Sequence, residues 1–179
     1  MYKVELRNVS WKNDSALKSY GDIDLTDVNG RGRIIYGSIS LIAVYDPATD
    51  WLPVFKKTCE LTKASAALLH VPAAVETRKK EPGYSSYYPG VRGSILKKQL
   101  PNLAWATFFG PPYVNDIDTD RLTSLGCHIE PLAGGYLLLL SDNILDCFND
   151  FPAFSNRRAA LRKHFRPDLF RITDEASAN

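Results

Sequence analysis

The chain has 179 residues, 45% of them hydrophobic and 23% charged, with a formal net charge of +2. That length is enough for one domain with a sizeable core, and no window approaches the roughly 18 uninterrupted apolar residues of a membrane span. The opening MYKVELRNVSW carries charges where a secretory leader needs an apolar run, and three cysteines without paired spacing suit buried free thiols in a reducing compartment, so a cytoplasmic protein is expected.

Residues 2–11 alternate Tyr2, Val4 and Leu6 with Lys3, Glu5 and Arg7, the pattern of a half-buried strand. The run NDSALKSYGD reads as loop, and VNGRG at 28–32 has the glycine signals of a tight turn. RIIYGSISLIAVY, 33–45, is rich in β-branched and aromatic residues and predicts one or two strands, with Gly37 as a bulge or bend. Thr49 or Asp50 is placed to cap a helix whose apolar stripe starts at Trp51, Phe55 and Cys59 and recurs at helical spacing toward Pro72. Residues 73–94 combine a basic run with Tyr84, Tyr87 and Tyr88 among Gly, Ser and Pro, a long irregular connection. ILKKQL suggests a short helix.

In LPNLAWATFFGPPYVNDID, 100–118, the aromatics Trp105, Phe108 and Phe109 read as a core strand that Gly110-Pro111-Pro112 ends, because neither proline can donate to a ladder. That turn is expected to deliver Tyr113, Asp116, Asp118 and Asp120 to the surface. Asp118 then caps a short helix that closes at Gly126. CHIEPL and YLLLLS flank AGG as a hairpin, and four consecutive leucines, Leu137 to Leu140, predict a central strand buried on both faces. Together the elements predict a single α+β domain over 1–179. Its sheet is mostly antiparallel, with one long helix at about 50–70 and a C-terminal helix at about 152–166 packed on it, and the polar tail 172–179 is expected to be disordered.

Charge is unevenly distributed. Residues 101–150 hold one Lys or Arg against seven Asp and Glu, whereas 61–100 hold seven basic residues against two acidic ones. The acidic third suits a face that steers a basic partner, unless the flanking basic segments neutralise it in the fold. Signs of catalysis are absent from the spacing. His70, His128 and His164 are scattered, and no HExxH, CxxC, zinc spacing or phosphate loop occurs. Cys127 and His128 point to opposite faces of a strand, which argues against a nucleophile–base pair. DIDTD at 116–120 lacks the glycine and distal glutamate of a calcium loop. No catalytic residue, metal or cofactor is expected. RRAALRKHFR, 157–166, sets basic residues on a helix and, with 78–80, leaves a nucleic-acid-binding module as the alternative reading; an ordinary amphipathic helix with a solvated basic face explains it as well.

The segment LAWATFFGPPYVNDIDTDRLTSL…CHIEPLAGGYLLLLSDN resembles the C-terminal half of bacterial immunity proteins found beside polymorphic and type VI secreted toxins, the immunity protein 52 family above all. Trp105, the string Phe108-Phe109-Gly110-Pro111-Pro112-Tyr113-Val114, and Gly134-Gly135 carry the likeness, over roughly residues 100–142. It implies a non-catalytic α+β inhibitor whose partner is a cognate toxin with a restriction-endonuclease-like nuclease domain, with no membrane and no direct nucleic-acid contact.

A nuclease cleft is lined by Lys and Arg, and an inhibitor can fill it with carboxylates. Two clusters are candidates: Asp116, Asp118 and Asp120 with Tyr113, and Asp142, Asp146 and Asp150, which would share one face if they lay on a helix. Tyr84, Tyr87 and Tyr88 offer a third candidate surface, as amphipathic anchors on a loop.

Overall fold

The computed structural model describes residues 8–15, 17–27, 34–77 and 99–176. Two compact units divide the chain, Met1–Thr49 and Asp50–Asn179. The fold is α+β, with antiparallel sheets in both units.

The first unit is a sheet of three strands, β1 (Asn8–Asn13), β2 (Ser19–Asp27) and β3 (Ile34–Ala43), in the order β1-β2-β3. Directly opposite residues share a face, which gives the apolar rows Val9–Ile23–Ile39 and Trp11–Gly21–Leu41. The Trp11 ring lies over Gly21, and a Cβ on Gly21 would overlap it. Two expectations are corrected. Residues 13–22 are not all loop, because β2 begins at Ser19 between two partners that satisfy its backbone. Gly37 pairs in register with Leu25, and the irregularity sits between Thr26 and Asp27 instead. Of the strand expected over 2–11, residues 8–11 lie in β1, while 2–7 and the turn expected at 28–32 lie outside the described residues.

The second unit is built on a four-stranded sheet, β4 (Ala66–Leu69), β5 (Ala106–Phe109), β6 (His128–Leu132) and β7 (Gly135–Leu139), in the order β4-β5-β7-β6. The two inner strands, β5 and β7, carry the buried centre of the sheet. Phe108, Phe109, Leu137 and Leu138 are all fully buried, as is Leu140 just beyond β7. A strand covered on both faces reads as a continuous apolar run, which is why four leucines in succession foretold it. The β6–β7 turn places Ala133 and Gly134 at positive φ, 47° and 77°, the mirror-image geometry that short hairpins favour.

Helix α1 (Trp51–Thr62) starts at Asp50, whose carboxylate accepts the Leu52 N–H. It ends where Lys63 takes a left-handed conformation, φ 49°, and returns its N–H to the helix. The helix expected over about 50–70 therefore stops short: residues 66–69 leave it to pair with Phe109–Ala106 of β5, since sheet pairing and burial outweigh the helical spacing of Ala66 and Leu69. Lys56 of α1 meets Glu130, on the sheet face that also carries Phe108 and Leu137.

Two short helices, α2 (Ala74–Thr77) and α3 (Thr119–Ser124), precede a four-residue turn of helix, α4 (Asp146–Asn149), and then α5 (Phe151–Arg162). α5 is capped by Asp150, which accepts the Ala153 N–H, and it buries Phe151, Phe154 and Leu161. Its helical turns end at Arg162, short of the expected 166. Beyond it Phe165 stacks on Phe109 with ring centroids 5.6 Å apart, on the sheet face opposite Phe108.

Residues 169–176 are docked. Phe170 bridges Leu100, the Ile172 N–H donates to the Pro101 carbonyl, and Ile172 and Ala176 are buried. The expectation of a disordered tail is thus corrected for 172–176, where backbone pairing and two apolar side chains hold the segment.

Candidate partner-binding surface

Residues 105–120 divide between core and surface. Trp105 is buried, and its indole N–H donates to the Ser141 carbonyl at 3.0 Å. Gly110, Pro111 and Pro112 turn the chain into a 3-10 helix, Pro111–Asp116. The tight winding of that helix rolls Tyr113 inward, so it is 4% exposed rather than presented to solvent, and burial pushes its phenol up from its ordinary pKa. Asp116 is pinned as well: Arg166 Nε donates to its Oδ1 at 2.9 Å, while Arg166 also holds Asp168. Asp118 and Asp120 remain exposed. The Asp118 carboxylate accepts the Arg121 N–H at 3.0 Å, an N-cap that fixes its position with one oxygen still available.

The second acidic set does not form a helical face. Asp142 precedes α4, Asp146 opens it, and Asp150 both ends it and caps α5. The intervening chain has one turn of helix, too short to align residues eight apart. Asp142 and Asp150 are exposed and Asp146 is half-buried. Asp150 lies at the start of α5, a helix about 18 Å long, and Asp116 meets Arg166 beyond its end. Tyr84, Tyr87 and Tyr88 lie outside the described residues, as do 78–80.

The expected solvated basic face at 157–166 is corrected. Arg158 is fully buried, donating to Glu76 at 2.7 Å and to Glu175 through Nε at 2.9 Å. Burial alone would favour losing its proton, but the two carboxylates more than offset this and push its pKa up. Arg162 donates to Asn102 and to the carbonyls of Ile172 and Thr173. Arg157 donates to the Gly126 carbonyl.

Glu76 binds the other side of this network. Its Oε2 meets His70 Nε2 at 2.8 Å and accepts the Ala73 N–H at 3.0 Å. His70 Nδ1 accepts the Trp105 N–H, so the ring proton sits on Nε2, facing Glu76. The network therefore ties the end of β4, α2, α5 and the C-terminal segment together. Sequence reasoning missed it, although one signal was present. Phe151, Phe154, Arg158, Leu161 and Phe165 follow one helical stripe, and an arginine inside such a stripe needs buried carboxylates.

Cys59, Cys127 and Cys147 are free and buried. Burial pushes the thiols of Cys59 and Cys147 up to about 11, which keeps them protonated and unreactive. Among the described residues no three His, Cys, Asp or Glu side chains converge as metal ligands, and no helix is long and apolar enough to cross a membrane. An open depression beside the β6–β7 hairpin is lined by Val114, Leu132, Gly134 and Tyr136 and gathers no acid–base pair. No family model matches the chain, and neither does any of the curated proteins or solved structures compared with it.

Proposed function

We propose that this chain is an immunity protein: a non-catalytic inhibitor that binds and neutralises a cognate antibacterial toxin, a nuclease effector of type VI secretion, by occluding its active site or substrate cleft. The supporting observation is the division within residues 105–120. The aromatic half that resembles the immunity protein 52 family is scaffold, and it sets the exposed carboxylates of Asp118 and Asp120 on a capped, well-packed helix start. Rigid carboxylates on a folded support can occupy phosphate positions in a basic cleft without ordering cost on binding.

The nucleic-acid-binding alternative draws less support. Arg158, Arg162 and Arg166 are engaged with Glu76, Glu175, Asn102, Asp116 and Asp168, and Arg157, though exposed, donates to the Gly126 carbonyl.

The test is co-expression with the product of the neighbouring reading frame. If that product is a nuclease-like toxin, growth arrest on its induction should be relieved by this chain, and the two should co-purify. Arrest that persists with the chain fully expressed would overturn the proposal.

A further inference from the structure

Among the described residues β3 is one of the two edges of its sheet, ten residues long, with no charged residue and no proline. Monomeric sheets usually blunt such an edge with lysine, proline, a bulge or a covering element. The one irregularity here, where Thr26 pairs with Tyr36 and Asp27 with Ile34, lies at the strand's start and leaves 37–43 in regular register. The direction of its hydrogen-bonding groups follows from Val44, whose N–H donates to the Lys18 carbonyl at 3.0 Å. Backbone groups alternate along an antiparallel strand. Ser38, Ser40 and Ile42 therefore face β2, while Gly37, Ile39, Leu41 and Ala43 turn their N–H and C=O to the open edge. Large apolar side chains flank that edge on both sides: Ile39 and Leu41, each 48% exposed, on one sheet face, and Ile42, 42% exposed, on the other.

We propose that β3 pairs edge to edge with β3 of a second copy, antiparallel about a two-fold axis, so that two three-stranded sheets become one of six strands. A two-fold brings a strand antiparallel to itself and needs no second complementary surface. It also sets every charge near its centre against its own like, which an uncharged strand alone escapes. With the axis at Ser40 the outward-facing residues map onto one another, Ile39 opposite the partner's Leu41 and Gly37 opposite the partner's Ala43. The apolar face bearing Val9, Trp11, Ile39 and Leu41 then continues across the seam. A seam one strand wide is small beside the roughly 1,200–2,000 Å² of a stable interface, so the dimer is reversible and concentration-dependent. The inference stands apart from the proposed inhibitory role.

Sedimentation of the full chain over a wide concentration range tests it, together with Leu41→Pro and Ile39→Lys. Proline at 41 removes a donor that faces only the open edge, and lysine at 39 sets like charges across the axis. The wild type should show a monomer–dimer equilibrium, and each variant should weaken it by about tenfold or more with an unchanged circular dichroism spectrum. Hydrogen exchange on the wild type needs no substitution: the amides of Ile39 and Leu41 should gain protection as concentration rises, while those of Ser40 and Ile42 should not. A chain that is monomeric throughout overturns the proposal. So does a dimer indifferent to both substitutions, or an edge that takes up a strand of another protein while the chain itself stays monomeric.

Discussion

Arg158 Nη1 lies 2.7 Å from Glu76 Oε1, and neither side chain reaches solvent. Glu175 completes the arrangement from the C-terminal segment. Removing one member of a buried pair leaves the other charge uncompensated, which costs about 3–5 kcal/mol. Arg158→Met should lose that much in urea unfolding, and adding Glu76→Gln should recover part of it. A single-variant loss below about 1 kcal/mol would mean that water reaches the pair.

Stability in acid should depend on Glu76. Burial alone raises its carboxyl, but the hydrogen bond from His70 and the Arg158 guanidinium more than offset this and hold it below its ordinary value of 4.5. A folded-state pKa below the unfolded one gives stability that is complete above the unfolded value and is lost as pH falls through the folded value. Urea midpoints measured from about pH 7 down to about pH 3 should fall less steeply for Glu76→Gln than for the wild type. Parallel curves would assign the acid loss to other carboxylates.

Neighbouring glycines in the β6–β7 hairpin should respond differently to alanine. At Gly134, φ 77°, a methyl would make only ordinary contact with Pro111 Cγ, 3.8 Å away, and would meet backbone strain of about 1 kcal/mol. A Cβ on Gly135 would overlap the Phe109 carbonyl oxygen and the Gly110 Cα, atoms of an inner strand that cannot yield. Gly135→Ala should therefore be the more damaging, by about 1–3 kcal/mol of overpacking, read as a difference in thermal midpoint.

Much of the second unit was legible because local signals and burial agree there. Pro111 and Pro112 could only end β5, the leucine run could only be an inner strand, and Asp118 caps α3 as its spacing with Arg121 requires. The failures occurred where long-range pairing decides. Ala66 and Leu69 fit a helix and a strand equally well, and their partner in β5 lies some forty residues on. Tyr113 was expected at the surface because a Pro-Pro turn usually leads there, but a 3-10 helix rotates successive side chains by a third of a turn and returned it to the core. The exposed carboxylates were legible as residues. Which of them are free was not, since Asp116 is taken by an arginine fifty positions away.

That difference separates three aspartates by a simple substitution series. Asp116→Asn should lower stability by up to about 1 kcal/mol, since the half-buried pair with Arg166 is partly screened. Asp118→Asn should leave stability unchanged, because asparagine caps a helix as well as aspartate does, and Asp120→Asn should do the same at an exposed position. Toxin affinity should follow the opposite order, falling for Asp118→Asn and Asp120→Asn with a shallower dependence on salt. Equal affinity across the series would place the interface elsewhere.

The central claim is inhibition by direct binding, and a titration with purified components tests it most directly. The product of the neighbouring reading frame, a nuclease if the proposal holds, is assayed on DNA and RNA while this chain is added in increasing amount. Cleavage should fall linearly to zero at a fixed stoichiometry, and the Asp118→Asn/Asp120→Asn double variant should require more protein to reach the same end point. Undiminished cleavage at saturating wild-type chain would contradict the account.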